Sequence, residues 1–262
     1  MSEFKEKYGA WGIIFGATDG VGKAMAKFLA ERKLNVVLVG RRTAALDELG
    51  KGLAEEYQVE YQVVTEDLST NQAIERIIEQ TKELDIGFVS YVACLSVFGP
   101  FSEHTWEDEE KMLQINIVSF TKYFHYYTKL FKEKNRGGII NIGSMSGLTG
   151  SPYIAQYGAG KSFIIKMTEA VGFEMLDTNV DIMVPILGST ITPSFLQSLP
   201  DTEAGKAALA AAMTPEECMD EIFENFGKTR SMILGDLNRK NAKEMAGQPS
   251  DQTIEFVGNL FK

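Results

Sequence analysis

Short apolar runs rich in β-branched residues alternate along this chain with longer amphipathic segments. The runs are 12–15, 36–39, 60–64, 88–93, 138–142 and 180–184, and the amphipathic segments are 21–32, 43–57, 70–83, 107–132 and 156–176. Strands that alternate with helices predict βαβ units and a parallel sheet. The runs are apolar almost throughout, which is typical of a sheet that helices cover on both faces. A last run at 232–234 predicts one more strand, at the sheet edge.

The length and composition of the chain suit one large core. It has 262 residues, of which 44% are hydrophobic, and no Pro/Ser linker, charge block or repeat divides it. We therefore predict an α/β fold, a single doubly wound Rossmann-type domain over residues 1–262 with a mainly parallel sheet. The segment 188–213 departs from the alternation and combines turn residues with apolar ones. It is interpreted as a substrate lid, and the alternative is an ordinary surface connection.

Charge and composition exclude several classes of partner. A formal net charge of −10 argues against nucleic acid, which needs clustered Lys and Arg. The N-terminal residues carry no apolar signal core, and no apolar run is long enough to span a bilayer, so we expect a cytoplasmic protein without a membrane partner. Cys94 and Cys218 are expected to be reduced thiols, and His104 and His125 are too few for a His-rich metal site.

The turn after the first predicted strand is rich in glycine. It reads Gly16-Ala17-Thr18-Asp19-Gly20-Val21-Gly22 and leads into a helical pattern. Glycines let the backbone turn sharply and approach a pyrophosphate, and the amides at the start of the next helix then face the anion. This position in the chain predicts a dinucleotide site that includes Thr18, Asp19 and Val21. The alternative is a tight turn that binds no ligand.

The second predicted strand ends in Gly40-Arg41-Arg42. In a dinucleotide fold this end of the strand faces the adenosine ribose, where an acidic residue binds the 2′-hydroxyl of NAD. Guanidinium groups instead match the geometry of a 2′-phosphate. The pattern favours NADP(H) as cofactor, and the alternative is two solvated arginines at a helix start.

A Tyr157-x-x-x-Lys161 motif opens the predicted helix 156–176. A spacing of four places both side chains on one helix face, where an ammonium is expected to lower the pKa of the phenol and make it usable as an acid or base. Ser144 ends the fifth predicted strand, where its hydroxyl can hydrogen-bond a substrate oxygen. Asn116, in the long helical segment before that strand, is a candidate for carrying a water.

Together these residues resemble the short-chain dehydrogenase/reductase family. The resemblance rests on Gly16, Gly20, Gly22, Asp67 in Glu-Asp-Leu, Asn116, Ser144, Tyr157 and Lys161, in order along essentially the whole chain. It implies a seven-stranded parallel sheet, with Tyr157 as general acid/base and Lys161 on the nicotinamide ribose. It also implies that Ser144 orients the carbonyl, that Asn116 supports a proton relay through water, and that Asp67 contacts adenine.

The same resemblance extends the cofactor-binding set and marks departures from the family. The added cofactor residues are Leu68, Ala93, Gly188, Thr190 and Thr192. The usual Thr before the first glycine is Phe15, the usual Asn-Ala-Gly is Val92-Ala93-Cys94, and the usual Pro-Gly is Leu187-Gly188. None of these changes removes a catalytic group, but they indicate a subgroup.

That subgroup resembles the bacterial 7β-hydroxysteroid dehydrogenases, which act on bile acids. The likeness rests on the segments 6–12, 39–42, 91–95, 156–161, 166–171, 187–193 and 214–218. It implies NADP(H)-dependent interconversion of a secondary alcohol and a ketone, the 7β-hydroxyl and 7-keto groups of a bile acid of the ursodeoxycholate type. The alternatives are a reductase for another hydroxysteroid position or another bulky ketone, and a non-catalytic NADP-binding sensor.

A bile acid offers a large apolar body and few polar groups, so we expect an apolar pocket beside the reacting atoms. The candidate substrate-binding residues are Ser144, Tyr157, Leu95, Tyr153, Phe195 and Leu196. The segments 107–132 and 156–176 carry more apolar and aromatic residues than one core face needs, and in the family the corresponding helices form an interface. We therefore expect a homodimer or a homotetramer.

Overall fold

A twisted parallel sheet runs through the computed structural model, which describes residues 3–199 and 201–259. Its strands are β1 (Trp11–Phe15), β2 (Asn35–Gly40), β3 (Tyr61–Thr65), β4 (Ile86–Tyr91), β5 (Gly137–Asn141), β6 (Gly143–Ser144), β7 (Val180–Leu187) and β8 (Ser231–Ile233). The spatial order is β3-β2-β1-β4-β5-β7-β8, and the short β6 pairs with β7 in the register that β5 begins. Because β6 prolongs β5, eight strands occupy seven positions, which confirms the expected sheet and its edge strand.

Helices cover both faces of this sheet. They are α1 (Glu3–Tyr8), α2 (Gly20–Glu31), α3 (Thr43–Tyr57), α4 (Ala73–Thr81), α5 (Trp106–Leu113), α6 (Phe120–Lys134), α7 (Ala155–Glu174), α8 (Pro193–Ser198), α9 (Glu203–Ala210), α10 (Pro215–Asn225), α11 (Asp236–Ala246) and α12 (Ser250–Asn259). All five predicted helical segments are present. The segment expected at 107–132 is divided, because a π-helical turn at Gln114–Ser119 separates α5 from α6. Such turns widen the helix locally and often mark functional sites.

Alternate residues of each central strand enter two separate cores. Ile14 and Leu38 point into the core that α2 and α10 cover, while Ile13 and Val37 point into the core on the opposite face, under α4, α6 and α7. In the first core, Phe28 of α2 stacks on Phe223 of α10 with ring centroids 3.6 Å apart. Burial on both faces explains why the central strands β1, β2, β4 and β5 are mostly apolar.

The order of the strands reverses between β1 and β4. From β1 the chain proceeds outward through β2 and β3, and it then crosses back to β4 on the other side of β1. Connections on either side of such a reversal diverge and leave a crevice at the carboxyl ends of the strands, where ligands of this fold class bind. This edge carries the turn at 16–22, the loop 92–105 and Ser144.

The segment 188–213 leaves the sheet and returns to nearly the same point. Ile191 N donates to Met213 O at 2.8 Å, and Met213 N donates to Ser189 O at 3.0 Å, so the two ends are paired. Between them lie α8 and α9, and Pro200 lies outside the described residues. Helix α8 begins at Pro193, because the Thr192 hydroxyl accepts from Phe195 N at 3.2 Å and caps it.

Candidate functional site

The glycine turn after β1 is too tight for side chains. Gly16 has φ +92°, and a Cβ on Gly22 would lie 1.9 Å from the carbonyl oxygen of Gly16. A Cβ on Gly16 would lie 2.8 Å from the backbone nitrogen of Ala93. The first turn of α2 therefore sits directly over the end of β1, with its free amides at the sheet edge. These residues fit a pyrophosphate group, which needs close backbone approach and unpaired amides.

The other residues predicted on this side of the site surround the turn. The side chains of Val21 and Leu68 are buried, so they can offer a ligand only their backbone. Ala93 N donates to Phe15 O at 2.8 Å, which fixes the start of the loop 92–105 against β1. The hydroxyl of Thr18 lies 2.8 Å from the point where a Gly40 Cβ would be, so the turn also touches the end of β2.

Both arginines after β2 reach carboxylates that the sequence analysis assigned to the cofactor site. Arg42 Nη2 forms an exposed ion pair with Asp19 Oδ2 at 2.5 Å, which links the end of β2 to the turn. Burial alone would raise the pKa of Asp67, but hydrogen bonds from Ser69 and the positive charge of Arg41 hold it below its usual value. The four groups therefore lie at one corner of the crevice, with the positive charges outermost.

The start of the segment 188–213 closes the opposite side of the turn. The methyl group of Thr192 lies 2.7 Å from the point where a Gly20 Cβ would be. Gly188 faces Asn238 of α11 so closely that a Cβ would lie 2.3 Å from its Oδ1, and Thr190 donates to Gly188 O at 3.3 Å. Asn238 was not identified from the sequence, since nothing in the pattern of α11 distinguishes it.

Two serine hydroxyls converge on Tyr157. Ser144 Oγ lies 2.8 Å from Ser146 Oγ and accepts from Ser146 N at 3.3 Å, and both hydroxyls are near enough to Tyr157 to lower the pKa of its phenol. Lys161 is buried, and its ammonium lies 5.7 Å from the centroid of the Tyr157 ring. The predicted group of Ser144, Tyr157 and Lys161 is therefore assembled. Ser146 is an addition, for which the only sequence signal is a second hydroxyl two residues after Ser144.

The predicted direction of the Tyr157 pKa shift is wrong for the protein as described. Burial raises the pKa of Tyr157 above its ordinary value, the nearby Cys94 thiol adds to this, and the hydrogen bonds from Ser144 and Ser146 oppose it without reversing it. The ammonium does not compensate, because Lys161 donates to the carbonyl of Ile142 at 2.7 Å. Burial also lowers the pKa of Lys161. The phenol is thus protonated near neutral pH.

The side chain of Asn116 is occupied by the backbone of Leu95. Asn116 lies in the π-helical turn and is buried; its Nδ2 donates to Leu95 O at 2.8 Å, and its Oδ1 accepts from Leu95 N at 3.0 Å. Both hydrogen-bonding groups of the amide are therefore used to hold the loop 92–105 in place. A part for Asn116 in a proton relay stays a prediction.

Comparison with known proteins identifies the family. A sequence profile for short chain dehydrogenases matches residues 11–203. The chain belongs to the short-chain dehydrogenase/reductase family. It is an oxidoreductase, and members of this family bind a nicotinamide cofactor.

The similarity to individual members extends over nearly the whole chain. A 7β-hydroxysteroid dehydrogenase from Mediterraneibacter gnavus is 47% identical over 98% of each chain, and one from Collinsella aerofaciens is 46% identical over 98% of each. A solved structure of a 7β-hydroxysteroid dehydrogenase superimposes with a TM-score of 0.93 at 46% identity, covering 97% of this chain and 99% of the other.

The candidate substrate residues of this family member lie on two parts of the carboxyl edge. Leu95 and Tyr153 are half-buried in the loops that follow β4 and β6, and Tyr153 has φ +65°. Its ring stacks on Phe98, with centroids 6.0 Å apart. Phe195 is half-buried and Leu196 exposed on α8, inside the segment 188–213. The loops around the site are thus lined by aromatic and aliphatic groups.

Two further predictions concern metal ions and membranes. Within residues 3–199 and 201–259, no three His, Cys, Asp or Glu side chains are grouped to hold a metal ion. The same part of the chain contains no helix long and apolar enough to cross a membrane.

Proposed function

We propose that this protein is an NADP(H)-dependent oxidoreductase that interconverts the 7β-hydroxyl and 7-keto groups of bile acids. The observation that carries the proposal is the convergence of Ser144, Ser146 and Tyr157 at the sheet edge that also bears the glycine turn. The position of the reacting group on the steroid is inferred from two relatives. Both are 7β-hydroxysteroid dehydrogenases, and the similarity covers 98% of each of them.

Side chains of this protein transfer the proton to or from the substrate oxygen and orient the substrate carbonyl. The Ser144 hydroxyl holds the substrate oxygen, and Tyr157 gives it a proton in reduction or removes one in oxidation. Burial keeps Tyr157 protonated, which suits the acid role in reduction. Lys161 would hold the nicotinamide ribose, and its ammonium lies 5.7 Å from the centroid of the Tyr157 ring. The bound nicotinamide supplies or accepts the hydride.

The remaining cofactor contacts are proposed from the sequence and from the resemblance to the family. The amides of residues 16–22 hold the pyrophosphate, Asp67 and the backbone of Leu68 hold the adenine, and Arg41 and Arg42 hold the 2′-phosphate. Ala93, Gly188, Thr190 and Thr192 bind the nicotinamide half. Because Arg42 is paired with Asp19, a 2′-phosphate competes with that carboxylate for the guanidinium.

The steroid body lies against Leu95, Tyr153, Phe195 and Leu196, and the segment 188–213 acts as a lid over it. The paired ends of this segment, at Ser189–Ile191 and Met213, are suitable hinge points because α8 and α9 lie wholly between them. Exposed apolar side chains on α5 and α7, namely Trp106, Leu113, Phe163 and Phe173, support assembly as a homodimer or homotetramer.

The substrate is tested by NADPH oxidation with a set of keto bile acids that differ in the position of the ketone. We expect the 7-keto compound to be reduced with the highest kcat/KM. Faster reduction of a 3-keto or 12-keto isomer assigns the protein to another hydroxysteroid position, and binding of NADPH without turnover of any ketone contradicts the proposal.

Replacement of Tyr157 by Phe keeps the ring and removes the proton. We expect kcat to fall by about 10²-fold or more, the range for loss of a general acid, with the Kd for NADPH nearly unchanged. Steady-state kinetics and a fluorescence titration with NADPH measure the two quantities. Tyr126→Phe, on the half-exposed side of α6, is the matched control and should be fully active. Near-normal turnover by Tyr157→Phe means that another group is the acid.

Replacement of Arg41 by Asp should shift the preference from NADPH towards NADH. Loss of one charge-assisted phosphate contact costs about 1.5–3 kcal/mol of NADPH binding, and the new carboxylate suits the 2′-hydroxyl of NADH. The ratio of kcat/KM for the two cofactors is the measurement. Wild-type protein that uses NADH as well as NADPH would falsify the cofactor assignment.

Replacement of Phe195 by Ala tests the lid. We expect a higher KM for the 7-keto bile acid, equal to about 1–3 kcal/mol of lost apolar contact, and an unchanged KM for NADPH. Phe256→Ala, on α12 and 57% exposed, is the control for removal of a surface phenylalanine. If Phe195→Ala lowers only the melting temperature, the residue packs on the domain and the lid assignment is wrong.

A further inference from the structure

A histidine and a glutamate are buried together beneath the loop 92–105. His104 Nδ1 lies 2.6 Å from Glu109 Oε1, and the two side chains are only 5% and 7% exposed. The second polar atom of each group, His104 Nε2 and Glu109 Oε2, is also buried and has no hydrogen-bond partner. Buried polar atoms without partners cost stability, so a pair of this kind calls for a physical explanation.

The histidine supports the point where the two substrate loops meet. A Cβ on Gly99 would lie 3.5 Å from His104 Nε2, so the ring lies beside this glycine with room for a methyl group between them. Gly99 N donates to Tyr153 O at 2.9 Å, which joins the loop after β4 to the loop after β6. The neighbouring Phe98 stacks on the Tyr153 ring. We call this contact between Phe98, Gly99 and Tyr153 the loop clasp.

The backbone of the loop clasp is in a conformation that needs support. Tyr153 has φ +65°, which L-residues other than Gly, Asn and Asp rarely adopt, and Gly99 has φ +141°. Such conformations persist only where surrounding contacts determine them, and they are concentrated at functional sites. The His104 ring bounds the space beside Gly99 and so limits how far this backbone can move.

The glutamate connects the same point to the catalytic helix. Glu109 lies in the first turns of α5, and its carbonyl accepts from Gln156 Nε2 at 3.0 Å. Gln156 immediately precedes Tyr157. The buried side-chain pair thus lies beside the loop clasp, and the backbone of Glu109 also holds the start of α7.

Two apolar side chains of similar size would make the folded protein about as stable, since a buried ion pair or polar pair contributes little net stability. A short hydrogen bond also fixes the orientation of the imidazole ring. It therefore determines which part of the ring lies beside Gly99. The buried pair is therefore better explained by geometry than by stability.

We propose that His104 and Glu109 are positioning residues that set the loop clasp, and thereby the selectivity of the site for bulky ketones. They contact neither Tyr157 nor the cofactor turn and act through Gly99 and Tyr153. The choice of a bile acid as the bulky ketone rests on the proposed function; the effect of the pair on the loop clasp does not.

The test compares Glu109→Leu with Glu110→Leu, the next residue of α5, which is exposed. We expect Glu109→Leu to raise the KM for the 7-keto bile acid about tenfold, the order expected for loss of one buried hydrogen bond. The kcat, the KM for NADPH and kcat/KM for a small cyclic ketone should stay within about twofold of wild type. Glu109→Gln, which still accepts from His104, should restore most of the KM. Glu110→Leu should be unchanged.

Gly99→Ala perturbs the same contact from the loop side and serves if Glu109→Leu does not fold. We expect the same rise in KM for the bulky ketone alone. Equal losses for bulky and small ketones, or a lower melting temperature with unchanged KM in both variants, would show that the pair only stabilises the fold and would overturn the proposal.

Hydrogen exchange separates this proposal from the proposed function. The Gly99 amide, which donates to Tyr153 O, should exchange faster in Glu109→Leu than in Glu110→Leu, whichever ketone the protein reduces. Unchanged exchange overturns the positioning role even if 7-keto bile acids are substrates. Faster exchange in a protein that reduces a different bulky ketone leaves the positioning role intact and rejects only the bile-acid assignment.

Discussion

The contact between Gly22 and the carbonyl of Gly16 is the constraint on which the rest of the site depends. A single methyl group at Gly22 would lie 1.9 Å from that oxygen, so only glycine lets α2 begin directly over the end of β1. That placement leaves the amides of the first helical turn at the carboxyl edge of the sheet. Because strand order reverses beside β1, the loop 92–105, Ser144 and the start of the segment 188–213 reach the same edge.

The fold was predictable because its determinants are local. Strands buried on both faces must be apolar throughout, and each predicted run corresponds to a strand. The π-helical turn at Gln114–Ser119 was not predictable, since one wider turn hardly alters the spacing of apolar residues. The helices α9 to α12 were not predicted either, because they are short, at 8 to 11 residues, and α11 buries no residue, so their amphipathic pattern is weak.

Most residues of the candidate site were predictable from the sequence, but only some of their contacts were. The spacing of the motifs predicts that Ser144, Tyr157 and Lys161 lie close together, but it does not show how deeply their side chains are buried. The pKa of Tyr157 is raised by burial, and Lys161 turns to the carbonyl of Ile142 rather than neutralising the phenol. The two bonds of Asn116 to Leu95 and the pairing of His104 with Glu109 join residues of different elements. Such contacts follow from the folded arrangement and have no signature in a single sequence.

The proposed function depends on Ser144 and Tyr157 acting on the 7-keto group of a bile acid. The most direct measurement is the configuration of the alcohol that the protein forms from a 7-keto bile acid and NADPH, determined by NMR of the isolated product. The account predicts the 7β-hydroxyl as the sole product, with its loss in Tyr157→Phe. A 7α-hydroxyl, or a mixture of both, would contradict it.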